Sequence, residues 1–397
     1  MQIPLIKLAI ITTHPIQYYA PLFRVLTQRG NLAIKVFYTW GEQAKSKVYD
    51  PGFGTHREWD IPLLDGYEYE FVKNISPNPG SSHFKGIVNP DLIEKILGYG
   101  AGALLVFGWA FKSHLKVLRY FKGKIPVYFR GDSTLLDEPD GFSFKKTLRR
   151  LFLTWVYRHI DVAFYVGTNN KAYYKAHGVS DEHLVYAPHA IDNDRFCDSD
   201  GSYSTQAIEW RQSLKIPYEK LTVLFAGKLE SKKNPLFIVE AARVLKQMHF
   251  IIIGNGNLEC EVKKAIEQLP NVTWLPFQNQ SIMPVVYRLA DIFVLPSQGP
   301  GETWGLAINE AMACSRVVVA SNKCGGAIDL IHNGENGYII EPNSSSLINI
   351  LKLIYNNPLV INNGGAISLQ HIQSFNYSII AENMEHTISQ SLLTTNN

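Results

Sequence analysis

The chain has 397 residues, which is long enough for two or three domains. Hydrophobic residues make up 46% of it and charged residues 18%, so a large core can be buried and a globally disordered chain is excluded. The formal net charge of +3 is too small for a dedicated nucleic-acid binder. The composition therefore indicates a multidomain globular protein with no nucleic-acid partner.

The charge is unevenly distributed along the chain. Between Lys112 and Lys175 there are 13 basic and 5 acidic residues, a net charge of +8, and the remainder of the chain then carries −5. The near-neutral total therefore hides one basic region in the first half of the chain.

Cysteine usage and hydropathy point to the reducing cytosol. The four cysteines are scattered, with neither zinc-ligand spacing nor a disulfide framework: Cys197, Cys260, Cys314 and Cys324. No run of 18 apolar residues occurs, so no transmembrane helix is predicted. The apolar start, Leu5–Thr12, lacks a basic segment before it and a small-residue cleavage site, so it predicts a first strand rather than a signal peptide.

The first half alternates between short apolar runs and helical patterns. Strands are predicted over Lys7–Thr12, Ala33–Tyr38, Ala103–Phe107, Pro126–Phe129 and Asp161–Val166. Helices are predicted over Pro21–Gln28 and Phe144–Ile160. Repeated βα units predict an α/β domain over residues 1–190, with a mostly parallel sheet covered by helices.

A second α/β series follows a break in the pattern. Residues 191–219 are rich in Asp and Ser and predict a linker. Within 220–375 we predict strands and helices over Leu221–Ala226, Pro235–Leu245, Phe250–Ile253, Glu259–Gln268, Ile292–Pro296, Leu306–Ala313 and Val317–Ala320. Two Rossmann-like lobes are therefore expected, with their parallel sheets facing a central cleft suited to a ligand.

The loop after the strand ending at Pro296 has the features of an anion site. Small residues, Gly299 and Gly301, let the chain approach a ligand, and a helix that opens near Gly305 offers free N–H groups and a positive dipole end. Carboxylates beside a phosphate are best explained as acceptors for sugar hydroxyls, which is the hypothesis for Glu302 and Glu310. The alternative is a chance spacing with Glu310 on a solvated helix face.

Cations follow the strand that ends at Ala226. Gly227 stands at the strand end, Lys228 comes next, and Lys232–Lys233 lie just beyond. Lysines at the carboxyl edge of a parallel sheet can neutralise a diphosphate leaving group without a metal. The alternative is a solvated, lysine-rich turn.

These two segments resemble the retaining nucleotide-sugar glycosyltransferases of family 4, which have the GT-B architecture. The resemblance covers about Val223 to Glu341, and the paired-glutamate motif of that family is matched by Glu302 and Glu310 in Gly-Glu-Thr-Trp-Gly-Leu-Ala-Ile-Asn-Glu-Ala-Met-Ala. It implies that the first glutamate contacts the donor sugar and the second holds the ribose hydroxyls. The backbone amides of Thr303, Trp304 and Gly305 are then expected on the distal phosphate.

The same resemblance assigns further residues. The basic pair on the diphosphate is matched by Lys228 and Lys233, with a lysine where the family usually has arginine, which keeps the charge and loses the bidentate fork. Gly254 opens a turn that is similar to the one near the nucleotide base, although its spacing also fits an ordinary βα turn. The family's final helix crosses back onto the first lobe, which implies that residues 376–397, with a helix over Tyr377–Leu392, belong there.

The acceptor side departs from the family pattern. The loop after the first strand carries His14 and Gln17 where a glycine-rich loop is usual, and it also lacks the fingerprint of nicotinamide-dependent oxidoreductases. Arg130 stands where many relatives have a histidine, so that catalytic histidine cannot be transferred to this chain. By position, His14, Gln17, Arg130 and Asp132 are candidates for acceptor contact, and Trp109 is a candidate for stacking on a sugar. A structural role is the alternative for each.

The basic segment 144–158 allows two interpretations. Its lysines and arginines lie beside apolar residues at helical spacing, so the helix could rest on an anionic membrane near a lipid-linked acceptor. It could also pack on the sheet with a solvated basic face.

The sequence thus predicts a retaining glycosyltransferase that moves a sugar from a nucleoside-diphosphate sugar to a hydroxyl of a glycan or lipid-linked acceptor. We expect it to act in surface polysaccharide or glycolipid synthesis, in the cytoplasm or at the inner face of the membrane. No cofactor and no metal are expected, because no Asp-x-Asp or His/Asp ligand set stands near the phosphate segment. The alternatives are a non-catalytic nucleotide-sugar binding module and a GT-B nucleotide-sugar epimerase.

Overall fold

The structure, a computed structural model, describes residues 5–42, 48–50, 55–57, 59–138, 141 and 143–395. The chain forms two compact units. The first comprises Met1–Val48, Pro62–Pro188 and Tyr377–Asn397, and the second comprises Tyr49–Ile61 and His189–Asn376.

The first unit is built on a seven-stranded parallel sheet. Its strands lie in the order β5-β2-β1-β6-β7-β8-β9. The bounds are β1 Ile6–Thr12, β2 Leu32–Tyr38, β5 Glu68–Phe71, β6 Ala103–Phe107, β7 Val127–Arg130, β8 Val162–Tyr165 and β9 Leu184–Tyr186. A separate two-stranded ribbon is formed by β3 (Val48–Asp50) and β4 (Thr55–Arg57).

The α-helices formed by the described residues of the first unit are α1 Ala20–Arg29, α2 Leu92–Tyr99, α3 Lys112–Phe121, α4 Phe144–Tyr157, α5 Thr168–Ala176 and α15 Tyr377–Thr395. The last of these returns the end of the chain to the first unit, where it packs on α1 and β9. Arg29 Nε and Asn31 Nδ2 both bind the Glu385 carboxylate, at 2.9 and 2.8 Å. This buried polar contact fixes α15 beside the start of β2.

The second unit is built on a six-stranded parallel sheet in the order β12-β11-β10-β13-β14-β15. Its strands are β10 Thr222–Ala226, β11 His249–Ile253, β12 Val272–Leu275, β13 Ile292–Leu295, β14 Val317–Ser321 and β15 Gly337–Ile340. Its helices are α6 Asn193–Phe196, α7 Ser202–Ser213, α8 Pro235–Val244, α9 Glu259–Ile266, α10 Met283–Arg288, α11 Leu306–Ala313, α12 Ala327–Leu330, α13 Ser344–Tyr355 and α14 Pro358–Ile372.

Continuous apolar runs explain why the central strands form. Every residue of β6, β10, β11, β13 and β14 is buried. Strands covered by helices on both faces need apolar side chains at successive positions rather than at alternate ones. These runs place the core of each unit on both faces of its sheet.

The predicted linker 191–219 is part of the second unit instead. It contains α6 and α7, and α7 packs on α10. The Asp- and Ser-rich composition has a local role, because the Asp198 carboxylate accepts the backbone N–H groups of Tyr203 and Ser204, both at 2.9 Å. Capping chemistry at a helix start uses the same residue types as a loop, which is why this composition predicts a linker.

Each sheet has one position where the strand order reverses. In the first unit β1 lies between β2 and β6, and in the second unit β10 lies between β11 and β13. In the second unit the chain passes from β10 to β11 on one side and from β13 to β14 on the other, so the loops after β10 and β13 diverge and leave a crevice between them. In open α/β sheets, ligands bind in such a crevice. The loops after β10 and β13 therefore define the candidate site.

Candidate functional site

The predicted Lys228, Lys233 and Glu302 lie in loops that follow two neighbouring strands of the second sheet. β10 and β13 pair in parallel, with Val223 opposite Ile292. Lys228 and Lys233 follow β10, and Glu302 follows β13, so all three belong to loops at the carboxyl edge of the strand-order reversal.

One contact joins the two loops. Lys233 Nζ donates to Glu302 Oε2 in a salt bridge, although the two residues are 69 positions apart in sequence. The Glu302 side chain is 9% exposed and that of Lys233 is 19% exposed. Ser297 Oγ donates to the same Glu302 oxygen at 2.9 Å. A carboxylate with a cation and a hydroxyl on one oxygen is held in a single orientation.

The loop carrying Glu302 is held by its backbone on two sides. The Gln298 amide donates to the Lys232 carbonyl at 2.8 Å. The Glu302 and Trp304 carbonyls accept from the amides of Gly325 and Gly326, both at 2.9 Å. Hydrogen bonds to both neighbours keep the loop ordered although it contains two glycines.

A layer of small polar residues beneath the loop was missed by the sequence analysis. Ser321 Oγ, at the end of β14, donates to the Ser297 carbonyl, and it lies 3.7 Å from Cys324 Sγ. Burial raises the pKa of the Cys324 thiol to about 12, so this cysteine packs as a neutral group. The available signal was a serine two residues after β13 and another at the end of β14, where purely apolar residues would be expected in a core.

The start of α11 is organised by Gly305 and Trp304. Gly305 has φ 94°, and a Cβ there would lie 3.0 Å from Leu295 Cδ2, so both conformation and space favour glycine. The Trp304 side chain is buried, and its Nε1 donates to Asn309 Oδ1 at 2.8 Å. The Trp304 ring is therefore part of the support, and the predicted role of the Thr303, Trp304 and Gly305 amides on a phosphate stays a prediction.

Glu310 lies inside α11 and is buried rather than on a solvated face. Tyr287 OH, on α10, donates to Glu310 Oε2 at 2.7 Å. A buried carboxylate is costly unless it is hydrogen-bonded, so this tyrosine both satisfies and orients it. Tyr287 is a second residue that local sequence patterns did not indicate.

Gly227 and Gly254 are placed by close packing of neighbouring strand ends. The Gly227 amide donates to the Ile253 carbonyl at 3.0 Å. Gly254 has φ 141°, and a Cβ there would lie 1.9 Å from the Gly227 carbonyl oxygen. This packing accounts for Gly254 without a ligand, and its predicted place near a nucleotide base stays a prediction. Lys228 is half-buried beside this contact.

In the first unit, His14 and Gln17 follow β1 at the equivalent reversal of strand order. His14 Nδ1 lies 2.8 Å from Thr13 Oγ1, and its ring meets Trp40 edge-on with centroids 5.2 Å apart. Burial lowers the pKa of His14 to about 4, so the ring is neutral near pH 7. Gln17 is half-buried. Both positions are compatible with contact to a ligand, which stays a prediction.

Trp109 and His114 lie around the loop that follows β6. The Trp109 ring is half-buried and packs edge-on against Phe152, with centroids 5.5 Å apart. His114 is fully buried and binds Gly108 O at 2.9 Å and Thr39 Oγ1 at 2.8 Å. With both ring nitrogens engaged, His114 ties α3 to the first sheet.

The structure favours the structural alternative for Arg130. Its guanidinium is buried and donates to the carbonyls of Ala187 and Pro188, at 2.6 and 2.9 Å. These bonds hold the last residues of the first unit before the chain enters the second. Asp132 is half-buried nearby, and burial together with its negative charge holds the pKa of Tyr19 above the usual range.

Within the part of the chain that the structure describes, no group of three or more His, Cys, Asp or Glu side chains is arranged to hold a metal ion. No helix in those residues has the length and apolar character needed to cross a bilayer.

Sequence comparisons match part of the chain to known proteins. Residues 206–363, about two fifths of the chain, match the family model described as Glycosyl transferases group 1. The D-inositol 3-phosphate glycosyltransferase of Arthrobacter sp. (strain FB24) is 28% identical over 179 residues, which is 42% of this chain and 42% of that protein. The alignment therefore spans less than half the length of this curated relative. The segment that matches the family model contains the strands β10 to β15 of the second unit's sheet.

Solved structures match over nearly the whole chain. Anabaena HepE, in complex with UDP and glucose, has a TM-score of 0.69 at 20% identity and covers 97% of this chain and 100% of its own. WaaG, a glycosyltransferase involved in lipopolysaccharide biosynthesis, has a TM-score of 0.65 at 15% identity and covers 96% and 99%. These likenesses confirm the predicted fold: an α/β, GT-B chain with two Rossmann-like, parallel-sheet domains.

Proposed function

We propose that this chain is a glycosyltransferase that moves a sugar from a nucleoside-diphosphate sugar to a hydroxyl acceptor. One contact carries the proposal: Lys233 bound to Glu302 across the strand-order reversal, inside the segment that matches group 1 glycosyl transferases. In this proposal the pair would set a cation beside a carboxylate that accepts sugar hydroxyls, at the edge where open α/β sheets bind ligands.

Charge balance explains how the pair would serve a diphosphate donor. Glu302 alone would repel a phosphate, and its salt bridge with Lys233 removes most of that repulsion. When the donor binds, Lys233 would share its protons between Glu302 and the diphosphate, and Lys228 would add a second positive charge. Two cations in a partly buried site stabilise the charge that develops on a departing diphosphate.

The carboxylates would hold the two sugars of the donor. Glu302, oriented by Ser297, would accept hydroxyls of the transferred sugar, and Glu310, oriented by Tyr287, would accept ribose hydroxyls. Both are buried and hydrogen-bonded, so little orientational entropy is lost when the donor binds.

In the reaction, the bond between the anomeric carbon and the diphosphate oxygen breaks, and the acceptor hydroxyl oxygen forms a new bond to that carbon on the same face. The acceptor proton passes to the departing diphosphate, so retention needs no separate protein base. We propose that no metal is required, because Lys228 and Lys233 supply the positive charge. His14, Gln17 and Trp109 are the proposed acceptor contacts.

The comparisons support the substrate classes of this proposal. HepE binds UDP and glucose in its crystal structure, and WaaG acts in lipopolysaccharide biosynthesis. We therefore propose a nucleoside-diphosphate hexose as donor and a glycan or lipid-linked acceptor in surface polysaccharide or glycolipid synthesis, on the cytoplasmic side of the membrane.

A donor panel tests the proposal. The full chain is screened against UDP-, GDP- and ADP-sugars by thermal shift, and the donor that stabilises it is assayed for transfer with chelator present, with product anomers assigned by NMR. We expect stabilisation by one nucleotide class and a product that keeps the donor's anomeric configuration. Binding without turnover would point to a binding module, donor conversion without acceptor would point to an epimerase, and loss of activity with chelator would overturn the metal-free mechanism.

A further inference from the structure

Helix α4 exposes a stripe of large apolar side chains to solvent. Its five large apolar side chains that face solvent are Phe144, Leu148, Leu151, Phe152 and Trp155. The spacing places them within an arc of about 100° on one side of the helix. We call this stripe the α4 face. Phe144 is 69% exposed and Leu151 is 64% exposed, so the stripe is open to solvent.

The first two turns of α4 are not held in the core. The buried residues of the helix are Leu153, Val156 and Tyr157, all in its second half. The interpretation of a helix packed on the sheet with a solvated basic face is therefore only half right. The second half packs on the sheet, whereas the surface turned to solvent is apolar with basic edges.

Basic residues border the α4 face on several sides. Lys145 and Arg149 are exposed on α4 itself, and Arg158 is exposed directly after its end. Lys146 and Arg150 each form an ion pair with Glu138, at 3.2 Å, which offsets part of their positive charge. The remaining positive charges lie at the margins of the stripe, where charged headgroups would meet them.

Helix α3 extends the charged border. Its exposed residues Lys112, Lys116 and Arg119 recur at helical spacing and form one row. This row lies beside the α4 face, because the Arg119 guanidinium stands 5.4 Å from the Trp155 ring centroid. Neither α3 nor α4 contains an acidic residue. The two helices together present an apolar centre with lysines and arginines along its border.

We infer that the α4 face, with its cationic border, docks the chain onto the surface of an anionic lipid bilayer. Large apolar and aromatic side chains enter the boundary between headgroups and acyl chains, while lysines and arginines at the rim bind anionic headgroups. Charge complementarity selects this partner, since a protein partner would need a strongly acidic rim around an apolar centre. The surface lies outside the candidate site, so the inference stands independently of the transfer reaction.

Vesicle co-sedimentation of the full chain tests this inference. Phosphatidylcholine vesicles containing about a third phosphatidylglycerol are compared with pure phosphatidylcholine, in low salt and at about 0.5 M NaCl. We expect binding to the anionic vesicles only, and its loss in high salt. Equal binding to both vesicle types, or no binding to either, would overturn the inference without any variant.

Exposed-residue variants separate the apolar and charged contributions. Leu148→Ser with Leu151→Ser should weaken vesicle binding by about tenfold or more. Lys116→Gln with Arg149→Gln should weaken it by about fivefold for each charge removed. The matched controls are Ile208→Ser with Ile328→Ser and Lys246→Gln with Lys352→Gln, which change equally exposed residues of the second unit and should bind like wild type.

Two further readouts keep the outcomes distinct. Sedimentation velocity asks whether the α4 face joins two copies of the chain, and a dimer that the serine variant returns to monomer, with no vesicle binding, would overturn the inference. Donor thermal shift with the same variants should be unchanged, so failure of membrane docking and failure of the proposed function are read separately.

Discussion

At the level of single side chains, the candidate site depends on how Glu302 is held. Its carboxylate meets an ammonium and a hydroxyl on the same oxygen, and the hydroxyl donor, Ser297, is itself fixed through its carbonyl by Ser321. Buried polar groups of this kind are effective only when their partners are complete. The serines therefore act on the site through Glu302, as positioning residues.

Ser297→Ala should lower kcat/KM by roughly tenfold, because one hydrogen bond to a charged carboxylate is lost while the lysine remains. The side chain is small and buried, so the melting temperature should change by only a few degrees. The matched control is Ser213→Ala, at the exposed end of α7, which should leave both quantities unchanged. Wild-type kinetics in Ser297→Ala would contradict the positioning role.

At the level of elements, the strand ends that carry the site are packed without spare volume. The end of β11 lies against the end of β10 so closely that Gly254 has no room for a side chain. The loop that carries Lys228 and Lys233 begins at this contact. Backbone packing therefore sets the direction in which that loop leaves the sheet.

Gly254→Ala should destabilise the second unit strongly, since its Cβ would lie 1.9 Å from the Gly227 carbonyl oxygen and the backbone would have to move. Gly98→Ala is the control, because nothing lies within 4 Å of a Cβ at that position in α2. It should be neutral or stabilising by up to about 1 kcal/mol. Chemical denaturation of both variants measures this, and equal stability would contradict the packing account.

The central elements were predictable because their sequences are continuously apolar. Ala103–Phe107 and Leu306–Ala313 have the predicted bounds, and the other predicted strands differ by one or two residues at their ends. Edge strands were missed, as in β5, where Glu68 and Glu70 bind Lys35 and give the segment a polar sequence. Apolar runs do not detect strands that are covered on one side only.

The site was predictable in its charged residues and not in their partners. Glycines and charges after a strand have a local signature, and this pointed to Lys233, Glu302 and Glu310. The partners Ser297 and Tyr287 are ordinary residues, and pairing Lys233 with Glu302 requires knowing that β10 and β13 are neighbours. Contacts of this kind follow from topology, which local spacing does not contain.

For the whole molecule, each of the two units contains a buried histidine whose ring is neutral near pH 7. Burial lowers the pKa of His114 in the first unit and of His249 in the second to about 4, with Lys220 and Arg211 contributing to the effect on His249. In the unfolded chain these histidines titrate near 6.5. Unfolding therefore takes up protons at pH values between the pKa of the folded chain, about 4, and that of the unfolded chain, about 6.5.

Stability should consequently fall as the pH drops from about 6.5 towards 4, by at most about 1.4 kcal/mol per pH unit for each histidine. The melting temperature should decrease as the pH is lowered from about 7 to about 5, and the decrease should be shallower in His114→Gln than in wild type. His183→Gln, at an exposed position, is the control. A melting temperature independent of pH in this window would contradict the assignment of neutral, buried histidines.

The central claim is that Lys233, joined to Glu302, stabilises the departing diphosphate. The most direct test compares kcat of Lys233→Ala with that of Lys232→Ala at saturating donor, since the Lys232 ammonium lies 3.6 Å from the Glu230 carboxylate. We predict a fall on the order of 100-fold for Lys233→Ala and less than about threefold for Lys232→Ala. Turnover at the wild-type rate in Lys233→Ala would contradict the claim.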